Sequence, residues 1–388
     1  MVRYGSRHCA LTQKIIWATV VVTLIGLSVL CLFPIKQNNV VAEAASGSAT
    51  IVMEATTNRV LSSSNEMARL PMASTTKIMT SFLAITNCDI NEVVTIPKEA
   101  VGIEGSSIYL REGEKLTVKE LLYGLMMRSG NDAAVALAIH VGGSVEGFAD
   151  MMNAKVAELG LTNTHFVNPH GLHDDNHYTS AYDLAYISSI AMQNETFKDI
   201  VSTKNITIEG DTEDETRYFY NKNQMLSLYN GANGIKTGYT TNSGRCLVSS
   251  SLIDGMQIVC VVLNVYDMWN ESMALMDTAH ATYSMQHIVD SSAVLRDIDV
   301  VCSKLTSVGV KCNSDFYYPL KKDGSEVVDI QIECAKSVQA PHNMSEFVGE
   351  IKINLENRLL FSDKIYTMVD ITELTFKDKV KDFLRIGD

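Results

Sequence analysis

The stretch from residue 71 to residue 77 reads Pro-Met-Ala-Ser-Thr-Thr-Lys, and the fold that we predict is built outward from it. It contains the only Ser-x-x-Lys of the chain, Ser74 to Lys77, at the start of a helical pattern that runs to about Ile85. Residues three apart share a helix face, so the Lys77 amine can reach the Ser74 hydroxyl. A serine needs an adjacent base to act as a nucleophile, and a lysine can serve if burial and a neighbouring cation lower its pKa. Alone, the motif fits a surface N-cap serine equally well.

A second motif, Ser129-Gly130-Asn131, lies between two predicted helices, where a turn can aim two side chains into a cleft. There Asn131 can hold a substrate amide, and Ser129 can pass a proton between a lysine and a leaving group. The pattern alone is non-specific, because Ser63-Ser64-Asn65 repeats it.

A third motif, Lys236-Thr237-Gly238, begins a block of apolar strands. Gly238 leaves room for a ligand to lie along the strand, while Lys236 and Thr237 offer a cation and a hydroxyl to a carboxylate. Spacings of 55 and 107 residues separate the three motifs, in the order Ser-x-x-Lys, Ser-x-Asn, Lys-Thr-Gly.

The ordered triple resembles the signature of penicillin-binding proteins and class A β-lactamases. The resemblance is closest to the low-molecular-mass D-alanyl-D-alanine carboxypeptidases of the peptidase S11 type. Two further stretches are similar to that group, Asn-Pro-His-Gly-Leu at residues 168–172 and Tyr-Thr-Ser-Ala-Tyr-Asp-Leu-Ala at residues 178–185. The resemblance covers about residues 46–290.

The resemblance implies a serine acyl-transfer reaction on peptidoglycan stem peptides that end in D-Ala-D-Ala. Ser74 attacks the bond between the two D-alanines with Lys77 as its base, the terminal D-alanine leaves, and water frees the shortened stem. Penicillins mimic this substrate and should acylate Ser74. The implied catalytic residues are Ser74, Lys77 and Ser129, and the implied substrate-binding residues are Asn131, Lys236, Thr237, Gly238 and Tyr239. No cofactor and no metal are implied.

The remaining roles that the resemblance implies concern protons and the oxyanion. Ser129 and Lys236 relay protons, and Asn131 positions the acyl chain. The oxyanion would lie between the backbone N–H groups of Ser74 and Tyr239.

The sequence departs from the family pattern at one place. Many relatives carry an arginine after the strand block that helps to bind the terminal carboxylate of the substrate. Residues 267–271 read Asp-Met-Trp-Asn-Glu and offer none. Thr237, Lys236 and Arg245 are the groups left to make that contact, which leaves strict carboxypeptidase specificity open.

Three other readings compete with the carboxypeptidase. A β-lactamase needs a glutamate that activates the deacylating water, usually in Glu-x-x-x-Asn, and residues 132–235 contain no such pattern. A non-catalytic or weakly active penicillin-binding wall protein would keep the same fold. The third is a metal site, since His and Asp are zinc ligands. Its candidate ligands are His170, His173, Asp174, Asp175 and His177.

The order of the predicted elements indicates an α+β fold. Two strands flank the turn at Thr57-Asn58, several helices follow, and apolar strands at residues 233–265 precede a helix over about 271–289. One of the helices begins with a capping box formed by Thr117 and Glu120. The two ends of this region therefore form one antiparallel sheet flanked by helices, as in the β-lactamase/transpeptidase-like fold.

The predicted domains divide the chain into four parts. Residues 1–45 are a signal peptide or an N-terminal membrane anchor with a linker, and residues 46–290 are the serine acyl-transfer domain. Residues 291–372 show short alternating runs without a long helix, which predicts a small all-β domain. Residues 373–388 form a short amphipathic helix, which either lies at a membrane interface or packs on its own domain.

The first 45 residues indicate export. Arg3, Arg7 and Lys14 precede a run without charges from Ile15 to Phe33. Its 19 residues are just long enough to span a bilayer, and the small residues around Ala44 offer a cleavage site. Cleavage and retention both place the rest of the chain outside the cytoplasm, with association to the outer face of the membrane expected.

Net charge and cysteine content exclude two further classes of protein. The 388 residues carry 45 acidic and 32 basic side chains, for a formal net charge of −13, which argues against a nucleic-acid binder. Two of the 8 cysteines belong to the export segment, and the rest are too sparse for a disulfide framework. Cys246 and Cys260 are predicted to be buried free thiols, and Cys302 and Cys312 are a candidate bridge.

Overall fold

The computed structural model describes residues 47–209 and 216–384. The predicted export segment and linker lie outside the described residues, as do the side chains of Phe383 and Leu384 that belong to the predicted amphipathic helix. No helix within these two ranges combines the length and the apolar content needed to cross a membrane.

A five-stranded antiparallel sheet with the order β2-β1-β9-β8-β7 forms the centre of the α+β domain. Its strands are β1 Ala49–Glu54, β2 Arg59–Ser64, β7 Ala232–Thr240, β8 Gly244–Ile253 and β9 Met256–Leu263. The pairing of β1 with β9 brings the two ends of the domain together, as predicted. Strand β9 is buried on both faces, which explains why its sequence is a continuous apolar run. Strand β7 lies at the edge of the sheet.

Helices cover both faces of this sheet. Six of them contribute to the larger core: α1 Lys77–Asn87, α2 Val118–Met127, α3 Asn131–Gly142, α4 Val145–Glu158, α5 Ala181–Ala191 and α6 Glu195–Ser202. On the other face, α7 Met225–Leu228 and α8 Met268–Thr282 pack in a second core. Neighbouring residues of one strand enter different cores, as Val261 and Val262 do, because side chains alternate across a sheet.

Short elements complete the α+β domain. They are the 3₁₀ helices Ala73–Thr76 and Lys98–Ala100, the pair β3 Val93–Thr95 and β4 Lys115–Thr117, and the pair β5 Asn205–Ile208 and β6 Arg217–Tyr220. The predicted capping box is present, since Glu120 N–H donates to Thr117 Oγ1 and Thr117 N–H donates to the Glu120 carboxylate.

The all-β domain contains a six-stranded sheet with the order β14-β16-β17-β12-β11-β15 and the separate pair β10-β13. The strands are β10 Tyr283–Val289, β11 Arg296–Val301, β12 Ser307–Cys312, β13 Phe316–Lys321, β14 Asp329–Cys334, β15 Ser337–Gln339, β16 Phe347–Leu355 and β17 Arg358–Thr367. The final helix is α9, Phe376–Leu384, where Phe376 is 83% exposed.

The predicted helix over residues 271–289 is wrong in its second half. Helix α8 ends at Thr282, and the next seven residues form β10, which pairs with β13. A short run with aromatic and β-branched residues fits either element, and pairing with a strand about 30 residues later decides the outcome here.

The cysteine predictions have two outcomes. Cys246 and Cys260 are buried free thiols, as predicted. The candidate bridge is wrong, because Cys302 is free and exposed while Cys312 is free and buried in the core of the all-β domain.

The two domains meet at Arg59 of β2. Its guanidinium donates to the carbonyl oxygen of Pro319 and pairs with Glu326, and both charged side chains are largely buried. The same guanidinium lies 5.1 Å from the ring centroids of Tyr283 and Tyr318. The Arg59 guanidinium thus connects the central sheet of the α+β domain to the strand pair β10-β13 through cation–π contacts and an ion pair.

Candidate active site

Ser74 lies in the 3₁₀ helix that precedes α1, where the chain packs against strand β7. Ala73 before it has φ +48°, in the left-handed region that non-glycine residues adopt rarely. Thr75 and Thr76 turn into the core and are fully buried, whereas Ser74 is half-buried. The turn therefore presents the Ser74 hydroxyl to the cleft.

Lys77 begins α1, and its side chain is fully buried. Its Nζ lies 3.1 Å from Ser74 Oγ, 2.7 Å from Asn131 Oδ1 and 2.6 Å from the carbonyl oxygen of His170. Three partners from three separate segments thus fix the amine beside the serine.

The pKa of Lys77 is lowered well below its usual value, mainly because burial penalises the charged amine. The charges of Lys236 and Lys222 lower it further, and the carboxylate of Asp132 opposes them. The environment therefore favours a neutral Lys77, the form that can accept a proton.

Lys236 on β7 is the second buried lysine of the site. Its Nζ donates to the carbonyl oxygen of Thr237 at 3.0 Å. Burial and, to a smaller extent, the charge of Lys222 lower the pKa of Lys236 to about 7. At neutral pH this lysine is poised between its two protonation states.

The turn between α2 and α3 carries Ser129 and Asn131. Ser129 has φ +64° and is 5% exposed. Asn131 uses both ends of its amide, since Oδ1 accepts from Lys77 and Nδ2 donates to the carbonyl oxygen of Glu104 at 2.5 Å. Its structural part is to orient Lys77, and its predicted contact with a substrate amide stays a prediction.

Asp132 holds the loop before the site in place. Its buried carboxylate accepts the backbone N–H groups of Ile108 at 2.9 Å and Leu110 at 3.1 Å, and the hydroxyl of Ser107 at 2.5 Å. Because residues 104–110 also bond to Asn131, this carboxylate supports the surroundings of Lys77 indirectly.

Strand β7 approaches Ser74 closely at Gly238. A Cβ placed on Gly238 would lie 3.1 Å from the backbone nitrogen of Ser74 and 3.1 Å from the carbonyl oxygen of Met72. A side chain at this position would crowd the turn that carries Ser74. The predicted room for a ligand along the strand at Gly238 stays a prediction. Lys236 shares this face of the strand, whereas Thr237 and Tyr239 lie on the alternate face.

Two profiles of known protein families match this chain. The sequence profile of D-alanyl-D-alanine carboxypeptidases, peptidase S11, matches residues 36–267, and the profile of the C-terminal domain of penicillin-binding protein 5 matches residues 283–373. The chain belongs to the D-alanyl-D-alanine carboxypeptidase family.

Curated relatives cover most of both chains. The D-alanyl-D-alanine carboxypeptidase DacF of Bacillus subtilis is 30% identical over 336 residues, which are 84% of this chain and 86% of the relative. DacA of Haemophilus influenzae is 30% identical over 353 residues, which are 86% and 87% of the two chains.

Solved structures show the same fold. Penicillin-binding protein 5 of Haemophilus influenzae has a TM-score of 0.67 at 29% identity, and the match covers 84% of this chain and 97% of that one. The peptidoglycan synthesis regulatory factor PBP3 of Streptococcus pneumoniae has a TM-score of 0.69 at 24% identity, with 83% and 98% covered. The α+β fold with a terminal all-β domain and the carboxypeptidase function are both confirmed.

Residues 168–177 pack against the turn that carries Ser74. Gly171 has φ +88°, and a Cβ on it would lie 1.9 Å from the carbonyl oxygen of Ala73. His177 Nδ1 accepts from Val167 N–H at 3.0 Å, so its Nε2–H donates to Thr76 Oγ1 at 2.8 Å. Burial lowers the pKa of His177 to about 3, which fits this neutral form.

Two of the histidines considered as metal ligands, His170 and His177, make hydrogen bonds to the backbone of the loop. Burial and the charge of Lys77 lower the pKa of His170 to about 3, and its Nδ1 accepts from Leu172 N–H at 3.1 Å. His173 Nε2 lies 3.3 Å from Asp175 Oδ1, and the Asp175 side chain is exposed. Within the described residues, these side chains do not gather their ligand atoms around one point.

Arg245 lies on β8, next to the strand that carries Lys236 and Thr237. It pairs with Tyr239 across β7 and β8, so it shares a sheet face with Thr237 and Tyr239. Its guanidinium lies 5.2 Å from the ring centroid of Tyr266 and lines a cavity of about 510 Å³.

Two functional features were missed in the sequence. Lys222 is exposed, donates to Ser106 Oγ at 3.1 Å, and lowers the pKa of both buried lysines. It belongs to no motif, so no local signal marked it. The second feature is the contact of the His170 carbonyl oxygen with Lys77. The family resemblance included residues 168–172, but a sequence does not show which backbone groups make contacts.

Proposed function

We propose that Ser74 is the nucleophile of this carboxypeptidase and that neutral Lys77 is its base. The observation that carries the proposal is the contact of 3.1 Å between Lys77 Nζ and Ser74 Oγ. The two acceptors of this amine, Asn131 Oδ1 and the carbonyl oxygen of His170, occupy both N–H groups of a neutral lysine. Its lone pair is then left for the proton of the Ser74 hydroxyl.

Ser129 protonates the leaving group, and Lys236 binds the negative charge of the substrate. Ser129 is buried beside Asn131 in the turn that faces Lys77, which suits a relay that returns the proton to the departing D-alanine nitrogen. Protonated Lys236 attracts the terminal carboxylate of the stem peptide.

The backbone N–H groups of Ser74 and Tyr239 form the oxyanion hole in this proposal. Gly238 packs directly on the nitrogen of Ser74, so the next N–H along β7 is brought close to it. Preorganised donors of this kind stabilise the charge that develops on the attacked carbonyl oxygen.

Thr237 and Arg245 complete the binding of the terminal carboxylate. They are diagonal neighbours on the same face of two hydrogen-bonded strands, because Arg245 pairs with Tyr239, two positions after Thr237. A long side chain spans that distance. Arg245 thereby replaces the arginine that residues 267–271 lack.

The substrate is a peptidoglycan stem peptide that ends in D-Ala-D-Ala, and β-lactams acylate the same serine. The enzyme acts outside the cytoplasm at the membrane surface. Supporting this location are the basic start of the chain and its charge-free run from Ile15 to Phe33.

Release of free D-alanine from a short peptide ending in D-Ala-D-Ala tests the proposal. The native protein should release it, and Ser74→Ala and Lys77→Met should each lower the rate by roughly a thousandfold or more, the scale expected when a nucleophile or its base is removed. Lys155→Met, which alters an exposed ion pair with Glu158, is the control and should keep the native rate. Native rates in Ser74→Ala would overturn the assignment.

A further inference from the structure

Three side chains of different chemistry converge at the end of α1 that is remote from the active site. Cys88 caps α1, Glu92 follows in the next turn, and His140 lies in the last turn of α3. The thiol sulfur, a carboxylate oxygen and an imidazole nitrogen all lie within 4.8 Å of one another. His140 Nε2 is 3.5 Å from Glu92 Oε2.

These three groups are the ligand types that zinc uses. Zn²⁺ binds thiolate at about 2.3 Å and imidazole or carboxylate at about 2.0–2.2 Å in tetrahedral geometry. Ligand atoms around such an ion lie roughly 3.3–3.7 Å apart by that geometry, so small rotations close the observed cluster onto one ion. The Glu92 side chain is 51% exposed, so solvent reaches this side of the cluster.

The backbone around the cluster is already fixed. The carbonyl oxygen of Glu92 accepts Val118 N–H at 2.9 Å, and the carbonyl oxygen of Ile90 accepts Lys119 N–H at 2.8 Å. Cys88 N–H donates to the carbonyl oxygen of Ala84 at 3.2 Å. The ligands therefore project from a segment bound to the start of α2 and from a helix, and little order must be gained on binding.

The cluster lies at the C-terminal ends of α1 and α3. The N-terminal ends of the same two helices carry residues of the candidate active site. Lys77 begins α1 and Asn131 begins α3, and these two residues touch in the active site. With about 1.5 Å per helical residue, the 11 residues of α1 separate the cluster from Lys77 by about 16 Å. An ion there does not contact the substrate, but it links both helices at their opposite ends.

We propose that Cys88, Glu92 and His140 form a zinc site that clamps α1 to α3. The bound ion holds the two helices in register and stabilises the α+β domain. This site is independent of the chemistry at Ser74.

Zinc binding to the purified full chain, stripped with a chelator and titrated against a chromophoric zinc competitor, tests the proposal. The native chain should bind one zinc at this site, and Tm should rise with zinc. Cys88→Ser and His140→Gln should each lower the affinity of this zinc tenfold or more. Co²⁺ should give a thiolate charge-transfer band that Cys88→Ser removes.

Two variants are matched controls. Cys302→Ser removes an exposed thiol elsewhere, and His287→Gln disrupts the other group of candidate ligands, which includes Asp290 and Asp315. Both should keep the zinc affinity, and circular dichroism should show that every variant is folded. Affinity that is unchanged in Cys88→Ser and His140→Gln, or that falls only in His287→Gln, would overturn the proposal.

Discussion

At the scale of single residues, the proposed mechanism divides acid and base chemistry between two buried lysines. Lys77 contacts two carbonyl oxygens and Ser74 Oγ, whereas Lys236 lies on β7 and contacts the carbonyl oxygen of Thr237. Burial lowers the pKa of both lysines, and exposed Lys222 lowers both again. One must be neutral to accept a proton and the other charged to attract a carboxylate.

The dependence of kcat/KM on pH follows from this division. Lys77 is active as a base above its pKa, so activity rises as pH passes that value. Lys236 is charged below a pKa of about 7, so activity falls as pH rises through about 7. In Lys236→Arg the side chain stays charged, so the decrease of kcat/KM with pH should move to higher pH, even if the maximal kcat/KM of this variant is lower. A decrease that stays near pH 7 in this variant would show that another group causes it.

Arg245 is predicted to bind the substrate carboxylate. Loss of a hydrogen bond to a charged group costs about 1.5–3 kcal/mol, so Arg245→Ala should lower kcat/KM about tenfold to a hundredfold, chiefly through KM. Exposed Arg296 on β11 provides a control, and Arg296→Ala should keep native kinetics. Equal KM values for the native enzyme and Arg245→Ala would refute this role.

A contact within one helix turn could be predicted from the sequence, whereas contacts between distant segments could not. Spacing within one helix turn correctly brought Ser74 to Lys77. The contact of Lys77 with Asn131 spans 54 residues, and that of Thr76 with His177 spans 101, so both depend on how helices and loops pack. The influence of Lys222 on the lysines had no local signal for the same reason.

At the scale of elements, the turn that carries Ser74 packs closely against two neighbours. Strand β7 meets it at Gly238, and the loop at residues 168–172 meets it at Gly171. A Cβ at Gly171 would collide with the backbone of Ala73, and a Cβ at Gly238 would make a tight contact, 3.1 Å from the backbone nitrogen of Ser74.

Substitution of Gly171 tests this support. The Cβ in Gly171→Ala would collide with the backbone of Ala73, so acylation should slow by tenfold or more and Tm should fall. Gly160→Ala is a matched control, because Gly160 also has positive φ, at +69°, with open space around it. If the two variants acylate at the same rate, the loop does not position Ser74.

Elements with strong local signals were predicted well, and those decided by distant pairing were not. The capping box at Thr117 and the apolar runs of β8 and β9 carry their own signals. Residues 283–289 follow a helix without a break and become a strand because β13 pairs with them. Cys302 and Cys312 lie close in sequence, but one is exposed and the other is in the core.

At the scale of the whole molecule, two domains are joined through a largely buried charge. Arg59 is 13% and Glu326 is 8% exposed in their side chains, and the guanidinium lies between Tyr283 and Tyr318. Removal of one partner leaves the other buried and unpaired, which is more costly than the loss of the pair.

Arg59→Met should therefore lower the free energy of unfolding by roughly 3 kcal/mol, measured by calorimetry, while D-alanine release by the folded enzyme persists. Lys198→Met breaks an exposed ion pair with Glu195 and should cost less than about 1 kcal/mol. Similar small losses in both variants would show that the Arg59 contact contributes little to stability.

The central claim is that acyl transfer occurs on Ser74, and the position of a penicillin adduct tests it most directly. The full chain would be incubated with benzylpenicillin, digested, and mapped by mass spectrometry, with Ser74→Ala treated in parallel. We predict one adduct on the peptide that contains Ser74 and none in the variant. An adduct on another residue, or an equal yield in Ser74→Ala, would contradict the account.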